Sequence, residues 1–269
     1  MKKTMLLGVM GLSVATMALA SNQTITVKGS DTMVILAQRW AEKYMAAHPG
    51  TTIQVTGGGS GVGISALING ATDICDASRP MKASERENLK MRFNSLGVEI
   101  KSAKDGLSVY LNDQNPVGDL SLDQLKGIYT GEIKNWKDVG GPDAKIVLYG
   151  RENNSGTYVF FRDNVLKGQD YASAMQSLPG TAAVVNAVAK DPNGIGYGGV
   201  AYGKGIKFAK VNGIAPSGET VKDGTYPLTR YLYMYVRSRP TGALKDYIDW
   251  ILSPTGQEIV AKIGYFPVK

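Results

Sequence analysis

The apolar run Ile146-Val147-Leu148 passes through Tyr149-Gly150-Arg151-Glu152-Asn153-Asn154-Ser155-Gly156-Thr157 into Tyr158 to Leu166, a stretch that reads as a helix. A strand, a polar loop and a helix in so few residues place Ser155-Gly156-Thr157 at a helix N-terminus. The first backbone N–H groups of a helix have no internal partner, and the macrodipole adds about half a positive charge there. Two hydroxyls, a glycine that lets backbone approach, and Arg151 four residues upstream make an oxyanion cradle. An ordinary serine cap beside a surface arginine fits this stretch alone equally well.

The same unit recurs. Gln23 to Gly29 alternates like a strand, Ser30-Asp31-Thr32 follows, and a helical pattern from Val34 to Met45 closes near His48-Pro49-Gly50. Thr51 to Thr56 reads as a strand running into Gly57-Gly58-Gly59-Ser60-Gly61 and a helix from Val62 to Asn69. Asp73 to Pro80 is a short strand entering the Ser78-Arg79 turn, after which Ser84 caps Glu85 to Phe93 with Glu87 at the capping-box position. Leu120 to Tyr129, capped by Ser121, Ala172 to Met175 and Thr181 to Ala189 read as helices; Leu107 to Asn112, Gly194 to Gly198 and Tyr226 to Val236 read as strands. Lys245 to Leu252 and Thr255 to Ile263 close the chain as helices. Strand–helix alternation argues an α/β fold with mainly parallel sheets, in which ligands sit beyond the carboxyl ends of strands. Three hydroxyl-bearing loops at strand-to-helix junctions, with Ser78-Arg79 as a fourth, then converge on one site.

Met1-Lys2-Lys3, the apolar stretch from Leu6 to Leu19 and Ala18-Leu19-Ala20 read as a secretory signal peptide cleaved after Ala20, leaving Ser21 first. With no cysteine at that site, a soluble exported product is expected, periplasmic in a Gram-negative cell. Cys75 is the sole cysteine, so no intramolecular disulfide forms and stability rests on packing. Roughly 249 of the 269 residues remain, more naturally two lobes than one. Without Lys2 and Lys3 the charge falls from +7 to about +5, and the basic residues are scattered, so no nucleic-acid partner is indicated.

Catalytic patterns fail one by one. A nucleophile elbow at Ser60 needs glycine where Val62 stands. His48, the sole histidine, reads as a surface residue, so a Ser-His-Asp triad has no support; one histidine and one cysteine also leave no His/Cys metal cluster. The dinucleotide glycine pattern breaks at Val62 or Ile64, and Gly198 to Lys204 lacks the Ser/Thr of a P-loop because Gly205 follows. Cys75 reads as a small buried apolar residue, and Trp136 with Tyr231, Tyr233 and Tyr235 as core or hinge.

As a set, Gly29-Ser30-Asp31-Thr32, Gly57 to Gly61, Ala77-Ser78-Arg79-Pro80, Tyr129 to Trp136 and Arg151 with Ser155-Gly156-Thr157 resemble the phosphate-binding proteins of ABC phosphate importers, over essentially the whole mature chain. The resemblance implies a two-lobed periplasmic-binding-protein fold of type II kind, its mixed, mainly parallel sheets flanked by helices. Two crossing strands near Leu107 to Leu111 and Leu228 to Val236 would form the hinge. Lobe one is then 21–106 with 230–269, and lobe two is 107–229. Residue by residue it implies phosphate contacts from Ser30, Asp31, Thr32, Ser60, Ser78, Arg79, Arg151, Ser155, Gly156 and Thr157, with no catalysis, metal or cofactor. The protein would be a monomer that presents inorganic phosphate to membrane permease subunits. One departure stands out: familiar members place a carboxylate in the cleft for the phosphate proton, and that position is Ser78 here. Asp31 or Asp76 would replace the acceptor, or Arg79 would make the site read charge. Sulfate, molybdate or tungstate on the same fold is the nearest alternative; a secreted phosphatase or surface protein is a more distant one.

Overall fold

A computed structural model describes residues 23–268; the signal peptide, its cleavage after Ala20 and the new N-terminus Ser21 lie outside the described residues. Gln23–Gly29 (β1), Val34–Ala47 (α1), Thr51–Thr56 (β2), Ser60–Ile68 (α2) and Ile74–Ala77 (β3) open the chain as strand–helix units. Ala83–Phe93 (α3) leads into Val98–Leu111 (β4), the longest described strand. Asp119–Leu120 (β5), Leu122–Thr130 (α4), Val147–Arg151 (β6), Gly156–Asn164 (α5) and Gln176–Leu178 (β7) follow. Then come Thr181–Lys190 (α6), Gly194–Gly199 (β8), Lys207–Val211 (β9), Gly218–Lys222 (α7), Thr229–Val236 (β10), Gly242–Leu252 (α8) and Pro254–Ile263 (α9).

Strands run in the order β2-β1-β3-β10-β4-β8-β6-β7, with β9 pairing β4 and β5. β1 pairs in parallel with β2 and β3, and β6 with β7 and β8. The antiparallel pairs all involve β4 or β10. β4 belongs to both halves of the sheet: Val98 to Gly106 pairs β10, and Leu107 to Leu111 pairs β8. Where those partners change, the chain passes between two cores. One holds Trp40, Tyr44, Leu232, Tyr247 and Val260, with a satellite of Ile64, Leu67, Leu89 and Tyr235 on the opposite face of the same strands. The other holds Leu125, Tyr129, Trp136, Phe161, Ile195 and Tyr197. The architecture is the α/β arrangement the strand–helix alternation points to, in the two lobes that chain length and the resemblance imply.

Two local expectations change. Ala172 to Met175 forms a turn rather than a helix, tied by Ala172 N–H to Tyr129 O and Met175 N–H to Ala172 O. Four residues before a strand leave no room for the bonds that repay helix nucleation. Helix α3 starts at Ala83 with Lys82 as N-cap, and Glu85 rather than Glu87 returns to the cap by accepting Lys82 N–H at 2.8 Å. Glu85 wins because Arg79 also holds it. Cys75 and Trp136 are fully buried, and exposed His48 stacks on Tyr44 at 3.8 Å.

β3 carries one charged residue type into the core. Ile74 faces the Trp40–Tyr247 cluster while Cys75 and Ala77 face the other side. Strand alternation therefore sets Asp76 on the Ile74 face. Asp76 is buried and its Oδ1 has no hydrogen-bond partner among the described residues. Burial lifts its carboxyl from 3.8 to about 8. The unfolded chain ionises from about pH 4 upward while the native protein stays neutral, so native stability is full below that range and is lost as pH climbs to about 8. Asp76→Asn is neutral in both states. Its melting temperature should gain on wild type by at least about 3 °C between pH 5 and pH 8, and a gap that stays constant in differential scanning calorimetry would refute this.

Candidate functional site

Helices α1, α2 and α5 begin around one cluster of hydroxyls, and α6 begins at Thr181, which Arg151 contacts. Helices α1, α2 and α6 have no side-chain cap, their N-caps being Met33, Gly59 and Gly180. Helix α5 is capped by Ser155, whose hydroxyl accepts Thr157 N–H at 3.2 Å and Tyr158 N–H at 3.4 Å. Gly59, at φ 92°, takes a left-handed conformation that a side chain would strain. It lets Asn154 approach: a Cβ on Gly59 would lie 2.8 Å from Asn154 O, and Gly61 N–H donates to that oxygen at 2.8 Å.

Four buried hydroxyls meet here. Thr32 Oγ1 lies 2.9 Å from Thr157 Oγ1, which lies 3.4 Å from Ser78 Oγ, itself 3.4 Å from Ser60 Oγ. Ser60 Oγ also accepts Ser78 N–H at 3.0 Å. Gly156 permits the approach, since a Cβ there would collide with Ser60 Oγ and lie 2.7 Å from Ser78 Oγ. Each hydroxyl holds one mobile hydrogen, and two of the three contacts in the chain are long. The cluster can redirect those hydrogens onto a bound acceptor at little cost.

Arg151 is 1 % exposed. Its Nη2 donates to Asp31 Oδ2 at 2.5 Å, its Nη1 to Thr181 Oγ1 at 3.0 Å, and its Nε has no partner among the described residues. Backbone N–H of Arg151 donates to Tyr197 OH at 3.4 Å. Asp31 Oδ1 takes Gly58 N–H at 2.8 Å, and Tyr202 OH donates to Asp31 O at 2.7 Å. Burial, then the Asp31 carboxylate, pushes the Tyr202 hydroxyl up to about 12, so it stays a donor. Ser30 is buried in the loop, its N–H donating to Asp76 O at 2.8 Å. The site therefore gathers Thr32, Ser60, Ser78, Gly156 and Thr157 directly, Arg151 through Asp31, and Ser155 as the cap. Arg79 is otherwise engaged: Nη1 and Nη2 grip Glu85 at 2.8 and 2.7 Å, and Nη1 also donates to Pro80 O. Burial works to raise Glu85, but the hydrogen bonds from Arg79 and Lys82 outweigh it and hold the carboxyl below its usual range.

Several supports have no local signature. Thr181, buried behind Arg151, sits in an ordinary small-residue helix start after Gly180. Arg230 Nε donates to Asp105 Oδ2 at 2.8 Å and its Nη1 to Ser78 O at 3.2 Å, while Asp105 Oδ1 accepts Val200 N–H at 3.0 Å. This buried ion pair joins β4 to β10 and carries the Ser78 turn. Its partners are 125 residues apart, beyond any spacing rule. Among the described residues no group of three His, Cys, Asp or Glu side chains stands close enough to hold a metal ion, and no helix is long and apolar enough to cross a membrane.

The family model of the PBP superfamily domain matches residues 15–255. The phosphate-binding protein PstS of Pseudomonas aeruginosa is 33 % identical over 263 residues, spanning 89 % of this chain and 81 % of that one. PstS of Bacillus subtilis is 34 % identical over 248 residues, spanning 91 % and 81 %. The crystal structure of a candidate phosphate ABC transporter substrate-binding protein from Clostridium perfringens, with bound phosphate, superposes at a TM-score of 0.86 with 32 % identity, covering 92 % of this chain and all of that one. The chain belongs to the PBP superfamily, among its phosphate-binding protein branch.

Removing one partner of the Asp105–Arg230 pair tests the support under Ser78. Asp105→Ala leaves an uncompensated buried cation, which costs ~3–5 kcal/mol. Urea unfolding should read a loss in that range, and a loss below about 1 kcal/mol would show that water reaches the pair.

Proposed function

We propose that this protein captures inorganic phosphate in the cleft between its lobes and hands it to the permease subunits of an ABC importer. The lobes are 21–106 with 230–269 and 107–229, hinged on β4 and β10. The reading rests above all on one observation: four buried hydroxyls, from Thr32 before α1, Ser60 and Thr157 in the first turns of α2 and α5, and Ser78, lie in mutual contact, and Arg151, whose Nε has no partner among the described residues, is tied to Asp31 beside Thr32. Such a set is built of donors and suits a compact anion with several acceptor oxygens. The relatives named for phosphate binding narrow that anion to phosphate. Thr32, Ser60, Ser78 and Thr157 donate hydroxyl hydrogens, with Ser30 and Ser155 in the same loops. Gly156 admits the ligand to the start of α5. Arg151 supplies the paired charge, Asp31 binds through Arg151, and Arg79 lies at the margin, shielded by Glu85. The chemistry is reversible binding by a monomer outside the cytoplasmic membrane, with no bond made or broken.

One observation favours a broader anion range. The resemblance puts Ser78 where familiar members carry the cleft carboxylate, and both oxygens of Asp31 are already taken by Gly58 and Arg151. A hydroxyl donates or accepts, so a site built of them discriminates weakly between hydrogen phosphate and sulfate.

Calorimetric titration of phosphate-stripped protein, with sulfate and molybdate as competitors, decides between the readings. Phosphate at micromolar affinity or better, about 8 kcal/mol, is expected. Displacement by equimolar sulfate would move the assignment to a general tetrahedral oxyanion, and no phosphate uptake would overturn it. Arg151→Ala should weaken phosphate at least tenfold, about 1.4 kcal/mol; retention of full affinity would remove Arg151 from the site. Gly156→Ala, which pushes a methyl against Ser60 and Ser78 Oγ, should weaken binding by a similar factor with the fold retained in circular dichroism.

A further inference from the structure

We propose that Asp31 is the clamp of the cleft, a positioning residue that ties the glycine loop of one lobe to Arg151 of the other and sets how long the ligand stays. The proposal rests on the two-lobed capture described above. Asp31 belongs to the loop before α1, in the first lobe. Its two carboxylate oxygens are divided: Oδ1 takes Gly58 N–H from its own lobe at 2.8 Å, and Oδ2 takes Arg151 Nη2 from the second lobe at 2.5 Å. Its carbonyl takes a second cross-cleft donor, Tyr202 OH, at 2.7 Å. The Gly58 peptide is shared in turn, since its carbonyl accepts Asn154 Nδ2 at 3.2 Å. A Cβ on Gly57 would strike Asp31 Oδ1, so the glycine loop is shaped around this carboxylate.

These contacts exist only while the lobes are together. Arg151 is then almost wholly buried, and Asp31 is the carboxylate that ion-pairs with it among the described residues. In an opened cleft water solvates both charges. In the closed one a charge-assisted bond replaces that water in a low-dielectric setting, where its loss is costly. The pair also fixes the guanidinium plane: with Nη1 on Thr181 and Nη2 on Asp31, Nε is the nitrogen left without a partner. Release of the ligand requires this bond to break, whereas entry into the open cleft does not.

Asp31→Asn keeps the side-chain volume but removes the charge and the second acceptor. In stopped-flow experiments with inorganic phosphate on the full mature chain, release should quicken at least tenfold while entry changes less than about threefold. In small-angle scattering, the phosphate-stripped variant should have a larger radius of gyration than stripped wild type. Tyr202→Phe removes only the hydroxyl on the Asp31 carbonyl and should quicken release by about threefold. Asp31→Glu should recover part of the slow release. Wild-type release from Asp31→Asn would overturn the clamp, as would a loss shared equally between entry and release with no change in radius, the signature of a simple ligand contact. Should wild type take up no phosphate, the capture reading falls, while the scattering comparison still reads the clamp.

Discussion

Backbone N–H groups at the start of a helix must bond to something, and in this protein α1, α2 and α6 begin without a side-chain cap. That debt organises the molecule. The loops that lead β1 into α1, β2 into α2 and β6 into α5 bring Thr32, Ser60 and Thr157 to one hydroxyl cluster. Four hydroxyls fill the remaining angles, and each can turn its hydrogen toward or away from a neighbour. The glycines are where backbone and side chain come closest: Gly59 against Asn154 and Gly156 against Ser60 and Ser78. A cradle of this kind is expensive to leave unsatisfied in a dry interior.

Charges around the cradle are balanced in pairs. Arg151 meets Asp31, Arg230 meets Asp105, and Arg79 meets Glu85. Each arginine is buried, and each pair ties loops from distant parts of the chain. The pairs differ in what they join. Asp105–Arg230 joins the crossing strands β4 and β10. Arg79–Glu85 is local to the turn before α3. Asp31–Arg151 spans the cleft, so it alone among the three is made and broken by opening. Structural and gating roles thus fall to chemically identical interactions, separated only by which elements carry them.

The strand–helix order and the cradle loops were legible because their signals are local. Serine, threonine and glycine between an apolar run and a helical pattern mark Ser30 to Thr32, Ser60 and Ser155 to Thr157, and the hydroxyls of Thr32, Ser60 and Thr157 lie in one cluster. Even the serine cap of Arg151's loop, the plainer reading of that stretch, coexists with the cradle. What stayed hidden depends on contacts across long separations. Thr181 looks like any small residue opening a helix until Arg151 is seen leaning on it. Asp105 and Arg230 belong to strands far apart in sequence. Ala172 to Met175 has helix-forming composition, yet its bonds go to Tyr129 and into a turn, so tertiary demand overrides propensity. The Glu85 cap likewise follows from Arg79, a residue outside the helix it caps.

β10 sits in the middle of the first lobe's sheet, between β3 and β4, although it comes after the whole second lobe in the chain. The first lobe therefore cannot complete its sheet, and α8 and α9 cannot cover it, until the last part of the chain has been made. Its pairings carry high contact order and form slowly. While the chain is still growing, β1 to β3 lack the neighbour that locks them. A polypeptide wired this way remains threadable until its C-terminal segment is released.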